Sequence, residues 1–242
     1  MNEKAVSEVL SYILIFGVVI TVISIVYSQV YTSTLETSQK FRIEGIRESF
    51  KKIYNVFVFS VYGGANVQQI QMELQGGTLS IENSTRVDIV IGDESFEFYT
   101  KSLNYQLGSY RTAFENGALW ESYYGYKRSL QSPGIYIKSV PVPQASGSDT
   151  VLIIVLNQIE GDTSVSGEGS LVLLFNSSLT TSGLYREKDV TLEITSPFAD
   201  LWESYLLKMG SVEREGDTVT LKTRANTVVL TVYTTEITTK GI

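Results

Sequence analysis

Carboxylates are the side chains in this sequence that could do acid and base chemistry, because the chain contains no cysteine and no histidine. That absence excludes thiol nucleophiles, Ser-His-Asp triads and metal sites built from Cys and His. One set of acidic residues has the residue types of a calcium site or an acid/base pair: Asp88, Asp93, Glu94, Glu160, Asp162 and Glu168. Their spacing matches no EF-hand or phosphate loop, so we interpret them as solvated turn residues. We predict no catalytic, cofactor-binding or metal site, and no enzyme.

Two segments have the Asn-x-Ser/Thr pattern of N-glycan acceptors, at Asn83 and Asn176. Both fall in predicted turns between strand patterns, where an exported protein presents them to a glycosyltransferase. The same pattern also arises by chance. Mass spectrometry of the native protein would decide whether the chain is a glycoprotein.

Aromatic residues are frequent between positions 99 and 126. They are Tyr99, Tyr105, Tyr110, Phe114, Trp120, Tyr123, Tyr124 and Tyr126. Tyr-rich surfaces suit adhesion, sugar binding or subunit contacts, because an aromatic ring offers contact area at low entropic cost. The simpler interpretation places these residues at alternating strand positions, covering the core and its rim.

The charge balance argues against a nucleic-acid partner. The formal net charge is −7 and the pI is about 4.8, whereas a phosphate-binding surface needs an excess of Lys and Arg. Hydrophobic residues make up 43% of the chain, which is enough for one sizeable core. We therefore predict a folded protein that does not bind nucleic acid.

An uncharged segment runs from Val9 to Leu35 and predicts a membrane-spanning helix within residues 6–31. At about 1.5 Å per residue it crosses a hydrocarbon core of roughly 30 Å. Tyr27 and Tyr31 suit the outer headgroup level, and the lack of a small-x-small cleavage site there predicts that the helix is retained. A buried core helix is the alternative, but such a helix is rarely apolar on every face. Membrane lipid is the first expected partner.

Residues 32–60 predict a helical extension of this span. Its apolar positions recur at helical spacing, at Ile43, Ile46, Phe50, Ile53 and Phe57. This stripe either packs on the chain's own domain or forms a coiled coil with another subunit. Residues 32–39 contain no Pro or Gly, so a continuous helix is favoured over a flexible stalk.

Beyond Gly63-Gly64 the pattern changes to short β-branched and aromatic runs, as in mainly β domains. The predicted strands are 68–74, 86–91, 95–99, 135–140, 151–156, 170–175, 190–195, 219–222 and 228–234, with turns at Gly76-Gly77, Gly92-Asp93 and Gly216-Asp217. One helix is predicted from Ser196 to about Met209, with Trp202, Tyr205 and Leu206 facing the sheet. The fold class is therefore α+β, mainly β: a long N-terminal transmembrane helix followed by a β-sandwich-like domain, residues 65–242, with one inserted helix.

The opening Lys4-Ala5-Val6-Ser7-Glu8-Val9-Leu10, followed by the apolar run, resembles the class III signal peptide of archaeal type IV pilins and archaellins. The resemblance implies that a prepilin peptidase cuts between Ala5 and Val6, with a cut after Lys4 as the lesser alternative. Residues 1–5 would then be a leader. Euryarchaeal pilins commonly read Ala-Val-Ser-Pro at this point, whereas this chain has Glu8 in place of the proline. In this respect it resembles a group of larger, uncharacterised archaeal pilin-like surface proteins, as do, more loosely, the segments 110–120 and 197–207.

Two residues of the helix are candidates for assembly contacts. In bacterial type IV pilins a Glu near the mature start is thought to meet the terminal amine of a neighbouring subunit. Glu8 would be the third mature residue rather than the fifth, so an interfacial position favoured by the helix dipole is the alternative. Gly17 is small enough to let another helix approach. The resemblance thus implies self-association, or association with other pilins, through the N-terminal helix.

The flanking charges alone do not favour an external domain, because Lys4 precedes the span whereas Lys40, Arg42 and Arg47 follow it. Long domains are translocated largely regardless of charge, and the resemblance supports an extracellular domain. We therefore expect a pilin-like protein of the cell membrane and cell surface that is anchored by or assembled through its helix. As part of a pilus, it would be a filament subunit that acts in adhesion or surface attachment. The alternative is a non-polymerising, single-pass anchored extracellular binding module. A membrane-tethered enzyme that uses carboxylates is the third interpretation.

Overall fold

The structure is a computed structural model that describes residues 3–64, 66–141 and 148–241, with side chains from residue 11 onward except at positions 36, 62, 84, 141, 148 and 241. The chain divides into two compact units, Met1–Gly45 and Ile46–Ile242. Helix α1 (Glu3–Tyr62) forms the described part of the first unit and supplies the opening segment of the second. The remainder is mostly strand, so the predicted α+β, mainly β class is confirmed.

Twelve strands and one short helix follow α1 in the described residues. They are β1 (Val67–Glu73), β2 (Thr78–Ile91), β3 (Glu94–Leu107), β4 (Tyr110–Glu115), β5 (Ala118–Tyr123), β6 (Tyr126–Gln131), β7 (Ile135–Pro141), β8 (Ser148–Glu160), β9 (Ser164–Ser166), β10 (Ser170–Thr195), α2 (Ala199–Leu206), β11 (Ser211–Glu215) and β12 (Thr218–Gly241). The three predicted turns lie between β1 and β2, between β2 and β3, and between β11 and β12.

The part of α1 that belongs to the second unit is amphipathic, as predicted. Its fully or almost fully buried apolar side chains are Ile46, Phe50, Ile53, Phe57 and Val61. Phe57 packs edge-on against Phe114 of β4 at 4.9 Å between ring centroids, and Phe50 lies 6.4 Å from Tyr105 of β3. The stripe is therefore used within the chain's own domain. This burial overturns the coiled-coil alternative, because the apolar face is not free for another subunit.

The strands form one hydrogen-bonded sheet in the order β6-β5-β4-β3-β2-β10-β12-β8-β7. Outside this order, β1 pairs with β10, β9 with β2 and β11 with β12. The long strands β10 and β12 pair antiparallel from Leu171↔Gly241 to Thr195↔Thr218. β12 pairs in parallel with β8 on its other edge. The β10–β12 pair is thus the centre to which both ends of the sheet attach.

The sheet closes on itself where β3 meets β8, although β2, β10 and β12 separate these strands in the sheet order. Thr100 Oγ1 donates a hydrogen bond to the backbone oxygen of Asn157 at 3.1 Å and accepts one from the backbone N–H of Ile159 at 2.9 Å. One buried hydrophobic cluster contains side chains of β2, β10, β12 and β8, including Ile89, Leu192, Leu230 and Ile154, together with Trp120 and Trp202.

Two pairs of predicted strands are single long strands in the structure. The segments 170–175 and 190–195 are the two ends of β10, and 219–222 and 228–234 both lie in β12. The intervening residues 179–189 of β10 are exposed or half-buried throughout, so they lack the apolar alternation that indicates a half-buried strand. Pairing with β12 along almost their whole length keeps them extended.

Helix α2 is shorter than predicted but faces the sheet as expected. It begins at Ala199 because the backbone N–H of Phe198 is bonded to the Ser196 hydroxyl at 3.0 Å, which holds the preceding turn outside the helix. Trp202 and Leu206 are fully buried, and Tyr205 packs half-buried against the core.

We expect Phe57→Ala to destabilise the chain by about 3–5 kcal/mol, because it leaves a cavity between α1 and β4. Phe59→Ala is the matched control on the same helix, since the Phe59 side chain is 65% exposed. Its effect should stay within about 0.5 kcal/mol. Thermal unfolding of the detergent-solubilised full chain measures both. Equal losses of stability in the two variants would contradict the packing of α1 described above.

Candidate functional site

The side chains of α1 from residue 11 to residue 35 are all exposed, and most of them are apolar. In the described part of the chain, α1 is the one helix long and apolar enough to cross a membrane, with a mean hydropathy of 2.4 in its most apolar window. Four of its hydroxyls donate to backbone oxygens one turn back, namely Thr21 to Gly17, Ser24 to Ile20, Thr32 to Ser28 and Thr34 to Val30. These hydroxyls need no water, which suits a hydrocarbon environment.

The predicted processing residues lie at the start of α1. Lys4, Ala5, Val6 and Glu8 have helical backbone, and their side chains are outside the described part of the structure, as are residues 1 and 2 altogether. Gly17 lies in the apolar part, where an added Cβ would meet no atom within 4 Å. This position is therefore open to the approach of another helix. Cleavage before Val6 and assembly through Glu8 or Gly17 stay predictions.

The prediction that both sequons lie in turns is wrong. Asn83 lies in β2 opposite Lys101 of β3, beside a bulge between Asn83 and Thr85. Asn176 lies in β10, paired with β1 on one side and β12 on the other. Polar residues that indicate a turn in a sequence are also accommodated on the exposed face of a strand. Both Asn side chains are exposed, so both remain candidate acceptors.

An open cleft of about 920 Å³ lies between β2, β3 and the segment that follows β8. Its walls carry both charges, an amide and one aromatic ring, on Asn83, Arg86, Tyr99, Lys101, Glu160 and Asp162. Gly161 brings the wall close to β12. A Cβ at this position would clash with the backbone oxygen of Ile237, and its φ of +133° is one that other residues rarely adopt.

The two cationic side chains of the cleft, Arg86 and Lys101, are both bonded to neighbouring groups of the protein. Arg86 forms ion pairs with Asp88 and Glu97, each at 2.9 Å, and its guanidinium lies over the Tyr99 ring, 5.7 Å from the centroid. Lys101 Nζ donates to the backbone oxygen of Gly161 at 2.7 Å. The cleft therefore presents polar groups whose charges are largely balanced, beside a Tyr99 ring that is 66% exposed.

The acidic residues considered as a calcium or acid/base set are dispersed. Glu160 and Asp162 line the cleft. Asp88 pairs with Arg86, Glu94 accepts a hydrogen bond from the Tyr185 hydroxyl at 3.3 Å, and Asp93 and Glu168 lie between strands. Among the described residues, no group of three His, Cys, Asp or Glu side chains is placed to hold a metal ion.

Glu115, at the end of β4, is a fully buried carboxylate that sequence reasoning missed. Its Oε1 accepts hydrogen bonds from Ser196 Oγ at 2.7 Å and from Trp202 Nε1 at 2.8 Å. Burial raises the pKa of Glu115, and the hydrogen bonds from Trp202, Ser196 and Thr85 oppose that change. Glu115 ties β4 to the turn before α2 and to α2 itself. In the sequence its position beside Asn-Gly indicates an ordinary turn, so no signal marked it.

A second buried carboxylate, Glu121 of β5, links α1 to the sheet. It accepts hydrogen bonds from Arg47 Nε at 2.7 Å and Nη2 at 3.0 Å, and Arg128 forms an ion pair with it at 2.9 Å. Burial alone would raise the pKa of Glu121, but Arg47 and Arg128 outweigh burial and hold the pKa below its ordinary value. The two-pronged contact from Arg47 positions α1 as well as balancing the charge.

The aromatic residues divide into two groups. Tyr105, Tyr110, Phe114 and Trp120 are fully buried, as the simpler interpretation expected. Tyr99, Tyr124 and Tyr126 are more than half exposed, and Tyr123 is 38% exposed and packs on Tyr124 at 4.6 Å. An exposed aromatic surface therefore remains at β5 and β6, apart from the single ring in the cleft.

Comparison with known proteins places most of the chain under one family model, described as "Family of unknown function (DUF7289)", which matches residues 4–239. An uncharacterized protein of Archaeoglobus fulgidus is 38% identical over 100 residues, which is 41% of this chain and 32% of that protein. The chain thus covers about a third of the length of this curated relative. No solved structure matches the chain.

Replacing Glu115 by Gln should change how stability depends on pH. Because folding raises the pKa of Glu115, the native chain holds this proton to higher pH than the unfolded chain does. Stability is therefore lost as the pH rises from about 4.3 through the folded pKa. Gln keeps an oxygen for Ser196 and Trp202 but cannot ionise.

We expect Glu115→Gln to gain stability relative to the wild type as the pH rises above about 4.3, by about 1.4 kcal/mol for every pH unit up to the folded pKa of Glu115. Thermal unfolding across this range is the measurement. Glu160→Gln, at an exposed carboxylate, is the control and should show no such trend. A stability difference between Glu115→Gln and wild type that is constant with pH would contradict the assignment.

Proposed function

The chain belongs to the DUF7289 family, and we propose that it is a membrane-anchored cell-surface protein with a type IV pilin-like N-terminus. Its β domain lies outside the cytoplasm, and its helix serves as an anchor in the membrane and as an assembly element in a filament. The resemblance of residues 4–10 to class III signal peptides supports this proposal. So does the archaeal origin of the relative from Archaeoglobus fulgidus.

The observation that carries the proposal is the exposed apolar surface of α1 between residues 11 and 35. Apolar side chains on every face of a helix are unfavourable in water, and burying them gives roughly 25 cal/mol per Å². Lipid can cover this surface, and so can the helices of other copies. The backward hydrogen bonds of its Thr and Ser hydroxyls make either environment acceptable to the polar groups.

In the assembled form, copies of α1 would pack together away from water with the β domains as an outer shell. Gly17 would allow close approach of the helices. Removal of residues 1–5 would place a new terminal amine at Val6, near Glu8. The exposed tyrosines of β5 and β6 would be available for contacts with a surface or a neighbouring subunit.

The cleft favours a second candidate function, a non-polymerising anchored binding module. Its volume of about 920 Å³ falls in the range of ligand sites, and it combines an exposed ring with several hydrogen-bonding groups. In this alternative, α1 anchors the protein in the membrane, but the protein does not assemble into a filament.

We expect protein isolated from its native host to begin at Val6 and to be found in surface filaments. Electron microscopy of sheared filaments, with identification of the N-terminal peptide, is the measurement. A dispersed membrane protein that begins at Val6 would favour the binding module. A dispersed protein that still begins at Met1 would contradict the pilin-like proposal.

Membrane insertion through α1 can be tested separately. The double change Ile20→Arg with Ile23→Arg places two charges near the middle of the span. Each central Arg costs roughly 2.5–3.5 kcal/mol of insertion free energy, so the two together oppose insertion by about 5–7 kcal/mol. We expect the chain to move from the carbonate-washed membrane fraction to the soluble or degraded fraction. Thr37→Arg with Gln39→Arg, beyond the apolar run of the same helix, is the control and should stay in the membrane. Unchanged membrane association of both doubles would argue against the span.

A further inference from the structure

Asn83 occupies an unusual place for a strand residue, at the mouth of the cleft beside the bulge in β2. It lies directly opposite Lys101 in the β2–β3 ladder, and the bulge falls between Asn83 and Thr85. An extra residue at a bulge re-aims the neighbouring side chains. The exposed Asn83 and the buried Thr85, on either side of this bulge, both line the cleft. The first and last residues of one sequon therefore belong to the walls of the same cavity.

The chemistry of the cleft suits a neutral, polyhydroxylated ligand better than an ion. Arg86 and Lys101 are offset by Glu160 and Asp162, which also line the cleft. Arg86 is already paired with two carboxylates and Lys101 with a backbone oxygen, so the site has no strong field for a phosphate or a metal cation. Carboxylates and the amine can accept from and donate to sugar hydroxyls, and the exposed Tyr99 ring offers an apolar platform for a sugar face.

We propose that this cleft is the resting place of an N-linked glycan attached to Asn83, with a sugar ring packed on Tyr99 and hydroxyls bonded to Lys101, Glu160 and Asp162. Covalent attachment at the mouth gives the sugar a high effective concentration in the cleft, so weak contacts suffice to hold it there. The inference rests on the proposed extracytoplasmic location of the β domain.

The modification itself is a glycosyl transfer from a lipid-linked sugar phosphate, catalysed by a separate transferase. A bond forms between Nδ2 of Asn83 and the anomeric carbon of the sugar, and the bond from that carbon to the phosphate oxygen breaks. The phosphate leaves with the electron pair, and a base of the transferase takes up the proton that the amide loses. Thr85 is only 5% exposed in the folded domain, so the transferase must reach the sequon before β2 is in place.

The second sequon provides a matched comparison. Asn176 is also exposed on a strand, but it does not line this cleft. A glycan at Asn176 would therefore leave Lys101 and Tyr99 uncovered. Any effect that depends on filling the cleft should appear on removal of the Asn83 sequon and not on removal of the Asn176 sequon.

The test uses full-length protein expressed in its native host as wild type, Asn83→Gln and Asn176→Gln. Glycopeptide mass spectrometry should find a glycan on Asn83, and an amine-reactive probe should label Lys101 several-fold more in Asn83→Gln than in wild type or Asn176→Gln. The Asn83→Gln variant should also melt lower by about 2–4 °C. Tyr99→Ala should raise Lys101 labelling in the glycosylated wild type and not in the Asn83→Gln background.

An exported, membrane-bound chain with unmodified Asn83 overturns this inference and leaves the proposed function in place. A glycan on Asn83 that does not protect Lys101 also overturns it, because the sugar then lies in solvent. If impermeant labels fail to reach the β domain in intact cells, the proposed location fails, and the inference fails with it.

Discussion

The long antiparallel pairing of β10 with β12, which has a register shift between Leu179 and Thr181, is the interaction on which the rest of the domain depends. It runs from Leu171 to Thr195 on one strand, and both strands use their outer edges twice, β10 for β1 and β2 and β12 for β8 and β11. Each end of the sheet is attached to this pair, and the contact of Thr100 with Asn157 and Ile159 then closes the sheet around its core. The cleft lies beside that closure, so its walls are positioned by the central pair as well as by their own strands.

Helix α1 meets two different requirements with two different surfaces. Residues 11–35 are mostly apolar and exposed on every face, and four of their hydroxyls are satisfied by the helix's own backbone. From Ile46 onward the helix has a single apolar stripe, which packs on the domain, and Arg47 makes a two-pronged contact with Glu121. The change from one pattern to the other coincides with the change from the first compact unit to the second.

Local patterns predicted much of this architecture. Three features depend on neighbouring residues alone: the apolarity of residues 11–35 of α1, the spacing of Ile46, Phe50, Ile53 and Phe57, and the Gly-containing turns. The length of β10, the closure at Thr100 and the cleft depend on pairing between distant segments, which local patterns do not reveal. The polar neighbours of Asn83 and Asn176 predict turns, because the local sequence does not reveal the strands with which these residues pair. Glu115 was missed for a related reason, since its burial is due to Ser196 and Trp202, far along the chain.

The central position of β12 has a consequence for how the domain reaches its native state. Among the described strands β12 is the last in chain order, yet it lies in the interior of the sheet between β10 and β8. During synthesis, the pairing of β10 and β8 with β12 cannot be completed until β12 has emerged, so the sheet forms only after almost all of the described chain has been made. Such long-range pairing slows folding. Under the proposed function, α1 would meanwhile hold the unfinished chain at the membrane and limit its loss to aggregation or proteolysis.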